Sequence, residues 1–188
     1  KINDNGYINI PKGRHPLIDS EKVVPVSLSL GSGYNYLLIT GPNTGGKTVT
    51  LKLTGLFSVM AATGYFIQAA DGAYVSVFEK IFVDVGDEQS IEQNLSTFSS
   101  HMRNLIDITN NVDDKSLVLV DEMGAGTDPD EGSALARAIL ELLVDKKSFG
   151  IVTTHYSALK EYAFTRKDIM NASMDFDEET FAPLYRLN

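Results

Sequence analysis

Short apolar runs recur along the chain and predict β-strands. They lie at residues 26–30, 36–40, 80–85, 117–120 and 149–154. The runs at 117–120 and 150–153 are apolar on both faces, as expected for strands that are covered on both sides of a parallel sheet. This pattern favours an α/β fold in which a mainly parallel sheet is flanked by helices.

Three stretches between these runs have the periodicity of amphipathic helices. The first spans residues 47–63, and the second spans 97–110 with Ser96 as its expected N-cap. The third begins after Asp128, which is an expected N-cap because proline follows it and a carboxylate stands at N3. These signals predict helices that cover the sheet.

Each predicted helix has one apolar stripe that we expect to be buried. The first stripe consists of Leu53, Leu56, Phe57, Met60 and Ala61. The second consists of Phe98, Met102, Leu105, Ile106 and Thr109. The third consists of Leu135, Ala138, Ile139, Leu142 and Leu143. Gly64 follows the first helix, where a glycine often ends a helix in the left-handed conformation.

Two antiparallel hairpins are predicted outside this pattern. The stretch at 65–78 alternates and contains Asp71-Gly72, a dipeptide typical of tight turns. A second turn is expected at 177–179, and residues 180–187 have the pattern of a final strand. Because no repeat or linker interrupts the chain, residues 1–188 are predicted to form a single domain.

A glycine-rich segment carries the strongest chemical signal. Eight consecutive residues fit the pattern GxxxxGK(S/T): Gly41, Pro42, Asn43, Thr44, Gly45, Gly46, Lys47 and Thr48. They follow an apolar strand and open an amphipathic helix, which is the order of a phosphate-binding (Walker A) loop. In such a loop, backbone N–H groups surround phosphate oxygens, the lysine reaches the β- and γ-phosphates and the hydroxyl ligates Mg²⁺. The segment therefore predicts binding of ATP and magnesium.

Two carboxylates follow the apolar run at 117–120. Successive residues of a strand point in opposite directions, so Asp121 and Glu122 cannot serve one ion in the same way. We assign Asp121 to the magnesium ion, through a water molecule, and Glu122 to polarising an attacking water. Without the phosphate-binding loop, an exposed acidic turn would be the better interpretation.

A histidine stands at the end of another predicted strand. His155 follows residues 149–154, which places it at the same carboxyl edge of the sheet as the loop and the acidic pair. This position favours a sensor of the γ-phosphate over an ordinary surface histidine. His15 and His101 have no such placement, and no role is assigned to either. The turn at 124–128 is rich in glycine, which fits close backbone approach and an ordinary turn equally well.

Composition and charge limit the function classes. The chain has 43% hydrophobic residues, which suits one domain with a sizeable core, and a net charge of -9, which opposes nucleic-acid binding by its average surface. It lacks cysteine, which excludes disulfides, thiolate metal sites and a cysteine nucleophile. No apolar run approaches the roughly 20 residues of a membrane span. We expect a soluble, cytoplasmic protein without a membrane partner, and a fragment of a larger protein because the chain begins at Lys1 without methionine.

Several ordered motifs resemble one known family, the MutS ATPase domain of the ABC ATPase superfamily. They are 41–48 with Asn43, Leu95-Ser96-Thr97-Phe98, 121–127 and Thr153-Thr154-His155-Tyr156. The segments at 86–93 and 128–132 are more similar to the second bacterial MutS branch, which includes an endonuclease and recombination suppressor, than to the mismatch-repair branch. The resemblance extends over nearly the whole chain, from Gly13 to Leu187.

The resemblance implies a head-to-tail homodimer formed through the ATPase face. Each nucleotide would then be closed by Ser96 of the other chain, with residues 124–128 crossing the interface and Gln89 near the water and magnesium. Residues 23–25 would line the adenine. The family couples ATP hydrolysis to movement of a clamp on DNA, branched or mismatched, or to action on ribosomes, through regions outside this chain.

Other functions share parts of this pattern. A P-loop kinase would need basic residues on a lid, whereas Arg103, Arg137 and Arg166 are scattered. A non-hydrolysing nucleotide switch is disfavoured because Glu122 is present. A chromosome-maintenance ABC-type ATPase of another branch is the nearest alternative.

Overall fold

A six-stranded sheet forms the centre of the molecule in the computed structural model. The structure describes residues 1–41, 45–86, 94–176 and 183–187. The strands of this part of the chain are β1 (Ile2–Asn3), β2 (Ile8–Gly13), β3 (Val26–Leu30), β4 (Tyr36–Thr40), β5 (Val75–Ser76), β6 (Lys80–Asp84), β7 (Ser116–Val120), β8 (Phe149–Thr153), β9 (Ile169–Phe176) and β10 (Pro183–Leu187). The helices are α1 (Lys47–Ala62), α2 (Asn94–Asn111), α3 (Pro129–Asp145) and α4 (Ser157–Phe164).

The order of strands in the central sheet is β10-β9-β4-β8-β7-β6. All neighbouring pairs are parallel except β9 with β10, which is antiparallel. The predicted α/β class and mainly parallel sheet are thus confirmed. Because β4, β8, β7 and β6 run in the same direction, their carboxyl ends meet at one edge of the sheet. The antiparallel pairing of β9 with β10 also fits the second predicted hairpin, whose turn at 177–179 lies outside the described residues.

Helices cover both faces of the sheet, which explains why the central strands are apolar throughout. On one face, Leu37 and Ile39 of β4 pack in a cluster with Leu53 and Phe57 of α1. On the other face, Leu38 lies in a cluster with side chains of α2, α3 and α4. Alternate residues of one strand therefore enter two separate cores.

The end of α1 follows its sequence signal. Gly64 has φ of 81°, and the N–H of Tyr65 donates to the carbonyl of Met60 at 2.8 Å, as in a Schellman motif. Leu53, Phe57 and Ala61 of the predicted stripe are buried. Leu56 and Met60 are partly buried. The predicted end and buried face of α1 are confirmed.

The start and the buried face of α2 differ from the prediction. The described part of the helix already includes Asn94 and Leu95, so Ser96 lies inside the helix and is not its N-cap. Because serine suits the first turn of a helix as well as its cap, the serine alone could not define where this helix begins. Ile106 is 57% exposed, whereas Ile108 is 4% exposed. The stripe predicted through Ile106 is therefore wrong at that position.

Helix α3 begins as predicted but buries a different stripe. The Asp128 side chain accepts hydrogen bonds from the N–H groups of residues 130 and 131, which confirms the N-cap. Ala138 and Leu142 are exposed, whereas Ile139 and Leu143 of the predicted stripe are buried. The other buried positions of the helix are Gly132, Ala136, Leu140 and Val144. The stripe is rotated because the small residues at 132 and 136 pack against a loop.

The hairpin predicted at 65–78 is wrong. The chain does turn at Gly72, where φ is 87°, but the segment pairs with the beginning of the chain and not with itself. Ile2 pairs with Val75 in parallel, and Asn9 forms an antiparallel bridge with Tyr74. Strand β2, which the sequence analysis did not identify, pairs with β3. Among the described residues, no helix combines the length and apolarity needed to cross a membrane.

Candidate functional site

The predicted phosphate-binding loop connects β4 to α1 at the carboxyl edge of the sheet. Gly41 follows β4 with φ of 126°, and Gly46 is the N-cap of α1 with φ of 92°, a left-handed conformation that glycine adopts without strain. The strand–loop–helix context of the motif is confirmed. Its central residues Pro42, Asn43 and Thr44 lie outside the described residues.

The lysine of the motif is buried. Lys47 is only 1% exposed, although lysine rarely occurs fully buried. Its Nζ donates a hydrogen bond to the carbonyl oxygen of Gly41, on the opposite side of the loop. The ammonium group therefore lies beside Gly41, the first residue of the motif in which the sequence predicts phosphate binding.

A hydrogen bond joins the loop helix to the acidic strand end. The hydroxyl of Thr48 donates to Oδ2 of Asp121 at 2.5 Å. Asp121 is 7% exposed, and its backbone N–H donates to the carbonyl of Asp84 at 2.8 Å. The two residues predicted to serve magnesium thus lie side by side, although they are far apart in the sequence.

Thr153, the last residue of β8, contacts both members of the acidic pair. Its hydroxyl donates to Oδ1 of Asp121 at 2.5 Å and accepts the backbone N–H of Glu122 at 2.8 Å. Glu122 has φ of 51°, which is unusual for a residue other than glycine. No sequence signal had predicted a role for Thr153.

Glu122 and His155 form a partly exposed pair next to Asp121. Nε2 of His155 lies 3.1 Å from Oε1 of Glu122, and their side chains are 44% and 21% exposed. The side chains of Asp121 and Glu122 therefore have different partners, as expected for successive residues at a strand end. The predicted residues do share one edge of the sheet: Lys47, Thr48, Asp121, Glu122 and His155.

The oxygen atoms at this edge fit a magnesium ion. A hydroxyl and a carboxylate oxygen lie 2.5 Å apart, and Mg²⁺ prefers such hard oxygen ligands. Among the described residues, no group of three or more His, Cys, Asp or Glu side chains could hold a metal ion alone. Magnesium is commonly held by one or two protein oxygens together with substrate phosphates, and this pair would suit that arrangement.

A buried carboxylate lies behind Asp121, at the end of β6. Asp84 is 3% exposed; its Oδ2 is 2.9 Å from Nδ1 of His101, and its Oδ1 accepts from Nδ2 of Asn104 at 3.1 Å. This group connects the sheet edge to α2, the helix that contains Ser96. His101 had no assigned role because its partner Asp84 is 17 residues away in the sequence.

The turn at 124–128 packs closely on α3 and on Tyr156. The Tyr156 hydroxyl donates to the carbonyl of Gly124 at 3.0 Å. The pKa of Tyr156 is raised above its ordinary value, mainly by burial and to a smaller extent by the negative charge of Asp128. A Cβ atom at Gly132 would lie 2.4 Å from the Gly124 carbonyl oxygen and 2.5 Å from the Tyr156 hydroxyl. A Cβ atom at Gly124 would in turn lie 2.4 Å from the Gly132 carbonyl oxygen, so close backbone approach, one of the two interpretations left open for the turn, is found at Gly124.

Gly132→Ala is expected to destabilise the domain because its methyl group would displace the turn from α3. We expect the free energy of unfolding to fall by about 1–3 kcal/mol, as in other overpacked sites, although alanine favours helix. Urea denaturation monitored by circular dichroism measures the change. Ser133→Ala, at the next helix position, controls for helix propensity. Equal stability of Gly132→Ala and the parent would show that the turn is not held by this contact.

The remaining predicted residues are placed less fully. Ser96 is on α2, but its side chain and the whole of Gln89 lie outside the described residues. The carbonyl of Val23 accepts from Nη1 of Arg14, and a role for residues 23–25 toward adenine stays a prediction. Burial, followed by the charge of Lys52, lowers the pKa of His15.

Comparison with known proteins identifies similar sequences. The family profile of MutS domain V matches residues 37–187. The chain is 57% identical over 187 residues to an endonuclease MutS2 of Ruminiclostridium cellulolyticum and 56% identical over 187 residues to an endonuclease MutS2 of Finegoldia magna. Each alignment covers 100% of this chain but 24% of the relative. The chain therefore spans about a quarter of the length of these relatives.

Proposed function

The chain belongs to the MutS domain V family, and we propose that it binds ATP with Mg²⁺ and hydrolyses it. The fold would then be an ABC-type ATPase core. The observation that carries this proposal is the hydrogen bond between Thr48 and Asp121, which links the N-terminus of α1 to the end of β7 beside the buried Lys47. A chance glycine-rich turn would give no reason for a buried lysine at its end, or for a hydrogen bond from the next residue to a buried carboxylate.

Each side chain at this edge has a role in the proposed reaction. Lys47 and the N-terminus of α1 would neutralise the β- and γ-phosphates. Thr48 and Asp121 would hold magnesium, which when bound neutralises charge on the phosphate oxygens. Glu122 would accept a hydrogen bond from the attacking water and orient it toward the γ-phosphate. His155, 3.1 Å from Glu122, would donate to the γ-phosphate and so report its presence.

The contacts of Arg137 and Arg166 do not favour a kinase. Arg166 pairs with Asp168 at 2.9 Å and with Asp145 at 3.3 Å. The guanidinium carbon of Arg137 lies 4.7 Å from the centroid of the Tyr162 ring. Both side chains are engaged in contacts away from the nucleotide edge, whereas a kinase needs basic groups over the transferred phosphoryl group.

We propose that the parent protein uses this domain as a motor. The relatives carry the name endonuclease MutS2, and this chain covers 24% of them, so nuclease activity and contacts with DNA or ribosomes are assigned to other regions. A net charge of -9 agrees with a domain that does not itself read nucleic acid. Two copies would associate through the ATPase face, each placing Ser96 near the other's nucleotide.

Lys47→Ala tests the phosphate-binding loop. We expect ATP affinity to fall at least about tenfold, because a charge-assisted hydrogen bond to phosphate is lost. A fluorescent ATP analogue is titrated into each protein, and circular dichroism verifies folding. The control is Lys52→Ala, which removes an exposed lysine of the same helix and should bind the ATP analogue as the parent does. Unchanged affinity in folded Lys47→Ala would contradict the proposed nucleotide site.

A further inference from the structure

Thr153 occupies a central position among the proposed catalytic groups. It is fully buried, at 0% exposure, and ends β8 between the acidic pair and His155. Its hydroxyl contacts the side chain of Asp121 and the backbone of Glu122. Neither contact is needed to hold β8 in the sheet, because the backbone of Thr153 already pairs with Ile39 of β4.

The direction of both hydrogen bonds follows from chemistry. An ionised carboxylate only accepts and a backbone N–H only donates. The single hydroxyl proton of Thr153 must therefore point to Oδ1 of Asp121, while an oxygen lone pair receives the N–H of Glu122. Only a hydroxyl can do both from this position, and valine, which has nearly the same shape, can do neither.

We propose that Thr153 is a positioning residue that sets the orientation of Asp121 and Glu122 together. By holding Oδ1, it directs Oδ2 of Asp121 toward Thr48, where the proposed magnesium ion would bind. By accepting the N–H of Glu122, it stabilises a left-handed backbone, φ 51°, that turns the glutamate toward His155. This inference rests on the proposed ATPase function and adds a residue that couples the magnesium group to the water-orienting group.

The backbone of Glu122 is left-handed, so its hydrogen bonds indicate what holds it in place. A residue other than glycine is strained in this conformation and persists there where its surroundings enforce it. The three successive N–H groups of the segment each donate a hydrogen bond: Asp121 to the Asp84 carbonyl, Glu122 to the Thr153 hydroxyl, and Met123 to the Thr153 carbonyl at 3.0 Å. Only the middle bond depends on a side chain, so a substitution at residue 153 can release Glu122 without removing strand pairing.

Thr153→Val, compared with Thr153→Ser, tests the proposal. We expect Thr153→Val to lower kcat by about tenfold or more and to raise the Mg²⁺ concentration for half-maximal rate several-fold, because hydrogen bonds to a charged group are lost. Affinity for ATP without magnesium should stay at the parent value, because the loop contacts are intact. Thr153→Ser retains the hydroxyl and should recover activity to within about twofold of the parent.

Binding gives a second measurement that does not depend on turnover. A fluorescent ATP analogue is titrated with and without Mg²⁺, and the strengthening by magnesium should be smaller in Thr153→Val than in the parent and in Thr153→Ser. Thr54→Val is the matched control, since Thr54 is also fully buried and its hydroxyl donates only to the Thr50 carbonyl within α1. It should match the parent in both measurements. If Thr153→Val does not fold, Thr153→Ala takes its place.

The outcomes separate this inference from the proposed function. A parent chain that shows neither ATP turnover nor magnesium-dependent binding overturns the proposed function itself. A parent that shows both, with Thr153→Val behaving like the parent, overturns the role of Thr153 alone. Equal loss of ATP affinity with and without magnesium, not restored by Thr153→Ser, would also overturn it, because that result indicates a purely structural role.

Discussion

Glu122→Gln is expected to reduce ATP turnover by about 10²- to 10⁴-fold, the usual contribution of a positioned general base, while ATP binding stays within about twofold of the parent. The substitution keeps the shape of the side chain and removes its charge and basicity. The backbone N–H that donates to Thr153 is unaffected. Turnover is measured by phosphate release and binding by titration of a fluorescent ATP analogue.

The geometry explains why binding and turnover should separate. Lys47 and Thr48 belong to the loop and α1, whereas Glu122 follows β7 and contacts His155. The phosphate contacts proposed for binding are thus made by other residues. A glutamine at 122 can still hydrogen bond to His155, so the pair should stay together while the attacking water loses its acceptor.

A matched substitution controls for the loss of one negative charge. Glu141→Gln changes an exposed glutamate on α3 and should hydrolyse ATP at the parent rate. Parent-like turnover in Glu122→Gln would remove Glu122 from its proposed role and return the non-hydrolysing switch to consideration. Loss of ATP binding together with turnover would indicate instead that Glu122 supports the nucleotide site.

The common edge of the catalytic groups could be predicted because its signals are local. The apolar runs that end at Thr40, Val120 and Thr153 are followed directly by the glycine-rich loop, the acidic pair and Thr154-His155, respectively, and parallel strands bring their carboxyl ends together. Chain order within the motif also fixes Lys47 and Thr48 at the start of a helix. No knowledge of strand order was required for these predictions.

The supporting contacts could not be predicted because they depend on which strands are neighbours. A threonine at the end of a strand is ordinary, and Thr153 acquires a role only because β8 lies beside β7. Similarly, Asp84 and His101 meet only when α2 packs on β6. Single-sequence periodicity carries no information on such pairings.

The errors in the helices and the first hairpin have related causes. Apolar periodicity gave no weight to Gly132, whose lack of a side chain lets α3 approach the turn, so the predicted stripe was rotated. The alternation at 65–78 did indicate an extended segment, but its partners are β1 and β2 at the beginning of the chain. Local patterns identify extended backbone more reliably than the strand it will pair with.

Ser96→Ala is expected to lower turnover by about 10²-fold, the effect of removing one donor to a developing negative charge, without weakening ATP binding to the isolated chain. The expectation follows from the proposal that Ser96 serves the nucleotide of the other copy. Specific activity of the parent should also rise with protein concentration as dimers form by mass action. Both are measured by phosphate release over a dilution series.

Mixing two inactive variants gives the sharpest test of this shared site. Lys47→Ala chains lack the loop lysine but retain Ser96, and Ser96→Ala chains have the reverse defect. In a symmetric dimer with random exchange, a 1:1 mixture should recover about a quarter of the parent activity, because half the dimers are mixed and each has one complete site. A mixture of Lys52→Ala with Ser96→Ala chains is the control, because every chain in that mixture retains the loop lysine. Activity that neither depends on concentration nor recovers in the mixture would contradict the shared site and favour hydrolysis by single chains.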